Sequence, residues 1–124
     1  VTMNEVIAAV LGQCQNIIAE SYFRKNTSQQ VTYPYLVFSY DSDNRDKYAD
    51  GAYLDVTIFD NQGSNDERIE TKTAELKRAL RNYSEMLDSC YIRARFEGGN
   101  MTDTGSDMIQ RRDVRFYLII DWRN

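Results

Sequence analysis

The chain has 124 residues, with 15 Lys plus Arg against 19 Asp plus Glu and a formal net charge of −4. That length predicts a single domain, residues 1–124 without a linker, large enough to bury a core with no disulfide staple. The acidic balance argues against a sequence-independent nucleic-acid binder, and no apolar run approaches a membrane span, so no membrane partner is expected.

Thr2-Met-Asn-Glu5 is a capping-box pattern. Met3, Val6, Ile7, Val10, Leu11, Cys14, Ile17 and Ile18 follow at helical spacing, which predicts an amphipathic helix to about Ser21. Asn26 to Thr32 reads as a polar loop, and Pro34 then opens a short strand from Tyr35 to Tyr40. Asp41 to Gly51 is hydrophilic and reads as a loop. A second strand, Ala52 to Asp60, sends Leu54, Val56 and Ile58 to one face and Tyr53, Asp55, Thr57 and Phe59 to the other.

Ser64-Asn-Asp-Glu67 is a second capping box, followed by a helix whose apolar stripe is Ile69, Thr73, Leu76, Leu80 and Tyr83. A third strand, about Ser89 to Glu97, alternates Cys90, Ile92, Ala94 and Phe96 with Tyr91, Arg93 and Arg95 until Gly98-Gly99 ends it, and Asn100 to Asp107 reads as a loop. The last strand is the clearest: from Asp113 to Arg123, Val114, Phe116, Leu118, Ile120 and Trp122 alternate with Asp113, Arg115, Tyr117, Ile119, Asp121 and Arg123. The expectation is an α+β fold of order α-β-β-α-β-β: one four-stranded, mainly antiparallel or mixed sheet, with two helices on one face.

Chemistry-bearing motifs are scarce. With no histidine, acid–base catalysis near neutral pH would need strongly shifted carboxylates, lysines, cysteines or tyrosines, and a non-enzymatic role is expected. Asp41-Ser-Asp43-Asn-Arg-Asp46 begins like a calcium loop, but the sixth and twelfth positions hold Asp46 and Ala52 in place of Gly and Glu, so no metal is expected there. Asp55 with Asp60, or Asp103 with Asp107, would be the carboxylate pairs of a metal-dependent nuclease, the alternative of another class, although nothing in the spacing brings them together. No cofactor is expected. Cys14 and Cys90 fall on apolar faces and read as buried thiols. Asn26, Asn82 and Asn100 match the glycosylation acceptor pattern, but the N-terminus does not read as a signal peptide, so these are taken as chance matches.

What remains points to contact surfaces. Eleven of the 15 basic residues are Arg and there are nine Tyr, types enriched in the dry centres of interfaces. The polar sheet face is the candidate interface: Tyr53, Asp55, Thr57, Tyr91, Arg93, Arg95, Arg115, Tyr117 and Asp121.

Tyr33-Pro-Tyr-Leu-Val-Phe-Ser-Tyr40, Tyr53-Leu-Asp-Val-Thr-Ile-Phe-Asp60, the acidic-start helix from Asp66, and Arg111-Arg-Asp-Val-Arg-Phe-Tyr-Leu118 together resemble, in pattern and order, the small tail-terminator or tail-completion proteins of long-tailed bacteriophages. The resemblance covers about Tyr33 to Trp122. It implies a structural virion protein that forms a hexameric ring at the head-proximal end of the tail tube and joins it to the head connector, made in the host cytoplasm and then resident in the virion. A head-completion or neck protein of the same virion is the nearer alternative. In such a ring the acidic residues Asp41, Asp43, Asp46, Asp50, Asp103 and Asp107 would line the lumen on loops and let duplex DNA pass without binding.

Overall fold

The computed structural model describes residues 3–44, 49–101 and 104–123, with the backbone only for Asp43 and Asn44. The elements are α1 (Asn4–Gln15), β1 (Ser21–Phe23), β2 (Tyr35–Asn44), β3 (Ala49–Asp60), α2 (Glu67–Leu80), β4 (Ser84–Met86), β5 (Cys90–Met101) and β6 (Gln110–Trp122). The sheet has six strands in the order β1-β2-β3-β6-β5-β4 and curls into a half-barrel. β1 runs parallel to β2, and every other neighbouring pair is antiparallel.

The four-stranded expectation is therefore wrong, although the class remains α+β. The two strands it omits, β1 and β4, are three residues each and too short to show an alternation. The α-β-β-α-β-β order fails for the same reason. α1 also ends at Gln15, not Ser21: Ile17 and Ile18 close a turn onto the Cys14 carbonyl, and the Ser21 hydroxyl donates to the Ile18 carbonyl at 2.6 Å. This turn delivers the chain to β1.

Alternation builds the core. Leu36, Phe38, Leu54, Val56, Ile58, Ile92, Val114, Phe116, Leu118 and Ile120 project from one sheet face, and α1 (Val6, Val10, Cys14) and α2 (Ile69, Leu76, Leu80) join the same buried cluster. Burial pushes the Cys14 thiol up to about 12, so it behaves as a small apolar group. Cys90 is buried as well, and both thiols are free.

The expected capping box of α2 does not form, and that of α1 rests on Thr2. Thr2 lies outside the described residues. The N-cap of α1 is Met3 without a side-chain cap, and Glu5 instead accepts from the backbone N–H groups of Asp88 and Ser89 and from the Ser89 hydroxyl. α2 has Asp66 at its N-cap, and Asn65, not Ser64, accepts the Glu67 N–H at 3.1 Å. Polar anchors fix this helix end to the sheet. Arg68 grips the fully buried Asp60 at the end of β3. Arg112, 8% exposed on β6, reaches Glu70 at 2.6 Å, and Gln110 donates to the Asn65 carbonyl and to Asp66.

Both expected polar loops are partly strand. Asp41–Asn44 continues β2 and Ala49–Gly51 belongs to β3, while Gly98–Met101 continues β5 past a bulge. Gly98 sits at φ +145°, where glycine is favoured, and this irregularity shifts register between Phe96 and Gly98. Pairing with β6 then resumes, so the turn-like Gly-Gly signal marks a bulge and not an end.

Candidate interaction surface

The sheet face away from the helices carries the residues expected at an interface. Its centre is a ladder across three strands: Tyr53 on β3 opposes Tyr117 on β6, which opposes Arg95 on β5. The two tyrosine rings meet edge to face with centroids 4.9 Å apart, and the Arg95 guanidinium lies 4.9 Å from the Tyr117 ring centre. The Arg115 guanidinium stands 4.8 Å from the centre of Tyr53. Tyr117 is thereby left only 3% exposed on a face that no helix covers. Such stacked arginines and tyrosines keep each other in fixed rotamers, so the face is preorganised.

Its charges are already matched. Arg115 makes two bonds to Asp55, at 2.8 and 3.2 Å, and these bonds first, then the charge of Asp55, raise the guanidinium's pKa. Arg93 pairs with Asp121 at 3.2 Å, Arg95 with Glu97 at 2.9 Å and Arg111 with Asp113 at 3.1 Å. Asp113 also accepts the Thr57 hydroxyl at 2.7 Å, and Arg111 leans over the Phe59 ring. Arg111, Asp113, Phe59 and Glu97 extend the face beyond the expected set. Their signal was available: Arg111 and Asp113 continue the period of two backwards from Arg115. An open basin of about 680 Å³ lies beside this ladder between Ser39, Asp55, Thr57, Asn100, Arg111 and Arg115. Tyr91, half-buried, closes the row at Asp121.

Among the described residues, the acidic candidates Asp41, Asp50 and Asp107 sit on three different parts of the chain. Asp41 is exposed on β2, and Asp107 is exposed between β5 and β6. Asp50 is on β3 and accepts the Trp122 indole N–H at 2.7 Å, so it serves the fold and not a loop. Asp46, Asp103 and the Asp43 side chain lie outside the described residues. Asp55 and Asp60, five positions apart on one strand, point to opposite faces, one paired with Arg115 and the other with Arg68. Among the described residues no group of three or more His, Cys, Asp or Glu comes together as a metal centre would require.

No protein-family model and no curated protein sequence matches the chain. Among solved structures, it is similar to a chain from the virion of a native gene transfer agent particle, with a TM-score of 0.75, 15% identity and 92% of each chain covered. A second solved chain matches with a TM-score of 0.73 at 12% identity, over 98% of this chain and 97% of that one. At such identities the likeness is one of fold.

Proposed function

We propose that this chain is a structural assembly protein of a phage or phage-like virion, and that its place is at the tail terminus, where a ring caps the tube and meets the head connector. The observation that carries the proposal is the whole-chain match to a component of a gene transfer agent virion, since both chains are covered almost end to end. Two further features support it. The motif order resembles tail terminators, and the ladder Arg95, Tyr117, Tyr53, Arg115 presents rigid aromatic and arginine groups of the kind that anchor protein contacts. Because every arginine of the ladder is already paired, contact at this face would proceed by fitting a partner over a finished surface, with little rearrangement.

Rings require two different patches that meet head to tail and close. The exposed Asp107, repeated around such a ring, would contribute to a negative lumen that duplex DNA passes without sticking. The test is sedimentation of the purified chain alone, with tail tube protein and with head connector, read together with negative-stain images. Rings that cap the tube and stop its growth support terminator function. Rings that bind the connector and ignore the tube would assign the chain to the neck, and failure to bind either would overturn the virion reading.

A further inference from the structure

Among the described residues, two stretches of strand, one in β2 and one in β5, run on beyond the short outer strands β1 and β4 with an unpaired outer edge. On the outer side of β2, pairing with β1 stops at Phe38, where the Arg24 N–H donates to the Phe38 carbonyl at 2.8 Å. Beyond it, among the described residues, nothing pairs with the outer edge of Ser39–Asn44. On the other side, pairing of β5 with β4 stops at Arg93, and the final edge bond is the Ala94 N–H to the Tyr83 carbonyl, 2.8 Å. From Arg95 to Met101, among the described residues, the outer edge of β5 is likewise unpaired, while its inner edge stays bonded to β6.

The directions of the unpaired groups follow from the period of two. Leu36 and Phe38 turn their backbone groups outward, so Tyr40 and Ser42 do as well; Ala94 turns outward, so Phe96 does too. Open edges of this length are templates for another strand, and natural sheets seldom leave them bare without charged or proline residues to blunt them. Here the β5 edge offers Phe96 at 42% exposed and Met101 at 71% exposed, which a bare edge would not favour.

We infer that the outer edge of β5 from Arg95 to Met101 takes the outer edge of β2, Ser39–Asn44, from a second copy of this chain, so that the sheets of adjacent subunits run on as one. Three observations select this occupant. β2 and β5 run in opposite directions within the sheet, so copies related by rotation about an axis along the strands bring β5 against the next β2 antiparallel, the better-bonded arrangement. The two free stretches lie at different heights, β2 open at its C-terminal half beside Asp50–Asp55 and β5 open at its C-terminal half beside Arg112–Tyr117. Rotation alone does not level them, so the strands must tilt to the ring axis, as strands do when a sheet closes, for Ser39–Asn44 to come opposite Arg95–Met101. The edges also differ in charge. On the open face, β2 brings exposed Asp41 with no basic residue from Ser39 to Asn44, whereas β5 brings Arg95, its side chain 61% exposed and held at 2.9 Å by Glu97 of the same strand so that a second carboxylate can share it, with Lys77 over Phe96 on the helix side. The inference rests on the proposed ring for the assembly in which the pairing occurs, and assigns the ring's subunit contact to the edges, leaving the stacked face to other virion proteins.

The full chain is measured by light scattering on a sizing column, as wild type, Ser42→Pro and Arg95→Asp. Proline at Ser42 removes only an outward N–H and is tolerated at an edge, so the β2–β3 ladder and the melting temperature stay as they were. Both variants are expected to dissociate at least tenfold more readily than wild type, and the Phe96 and Ser42 amides are expected to exchange hydrogen slowly in the assembly and rapidly in Ser42→Pro. Wild-type rings whose mass and amide protection survive both substitutions would overturn edge pairing while leaving the virion role intact. A wild type that stays monomeric yet binds tail tubes would do the same. Edge-paired rings that bind neither tube nor connector would sustain this inference and sink the functional proposal.

Discussion

The Trp122 indole N–H donates to the Asp50 carboxylate at 2.7 Å, tying the end of β6 to the start of β3. Both residues are half-buried, and Asp50 opposes Ile120 in the β3–β6 ladder. A hydrogen bond to a charged acceptor in this setting is worth more than an exposed pair. Asp50→Ala is expected to lower stability by about 1–2 kcal/mol in urea unfolding, with Asp50→Asn, which keeps an acceptor, costing less. Equal losses in the two variants would remove the bond as the cause.

Leu118 and Ile120 are 1% and 0% exposed and belong to the core cluster on β6, which lies between the long strands β3 and β5. Truncating either to Ala removes buried methyl groups and leaves a cavity that a curled sheet packed under two helices cannot fully collapse. Each is expected to cost about 2–5 kcal/mol by chemical denaturation. Ile119, on the opposite face and half-buried, is expected to cost less, which the same measurement checks.

Gly99 is a packing glycine. A Cβ at this position would stand 2.9 Å from the Asp113 carbonyl oxygen, a backbone atom that cannot swing away. Gly99→Ala is therefore expected to destabilise by about 1–3 kcal/mol by forcing β5 away from β6 just past the bulge. Gly98, with φ +145° and open space around it, should suffer through backbone strain instead, so Gly98→Ala is expected to destabilise without a clash. Thermal melts of both variants, with a crystal structure of Gly99→Ala, separate the two causes.

The long strands were legible because β3, β5 and β6 alternate over many residues, and the interface candidates on the polar face could be read off the same alternation. β1 and β4 were not, since three residues carry no period and both are held by a neighbour's edge: Ser21–Phe23 exists because Leu36–Phe38 receives it. The same limit misplaced Asp41 and Asp50. Polar residues in the β2–β3 arm look like a loop in sequence, and only the ladder from Tyr35↔Phe59 to Asn44↔Asp50 shows them as strand. Gly98-Gly99 misled similarly, because a glycine pair signals a turn and a bulge alike. The pairing of Arg115 with Asp55, Arg93 with Asp121 and Arg68 with Asp60 depends on register, which composition does not reveal.

Glu5 links α1 to the turn before β5 and gives the fold an acid sensitivity. Its carboxylate accepts from the Ser89 hydroxyl and from the N–H groups of Ser89 and Asp88. The Ser89 hydroxyl bond is the main reason its pKa falls below the ordinary 4.5, partly opposed by desolvation, with the two backbone bonds adding to the fall. A carboxylate whose folded pKa is depressed stabilises the protein fully above its unfolded value, and that stabilisation fades as pH drops through 4.5 and is gone below the folded value. Glu5→Gln keeps one acceptor but loses the charge, so its melting temperature is expected to fall below wild type at neutral pH and to converge with it in acid. Melting curves of the two proteins across that pH range make the comparison. A gap that persists unchanged well below pH 4.5 would mean that Glu5 acts by packing alone and that its ionisation is not coupled to folding.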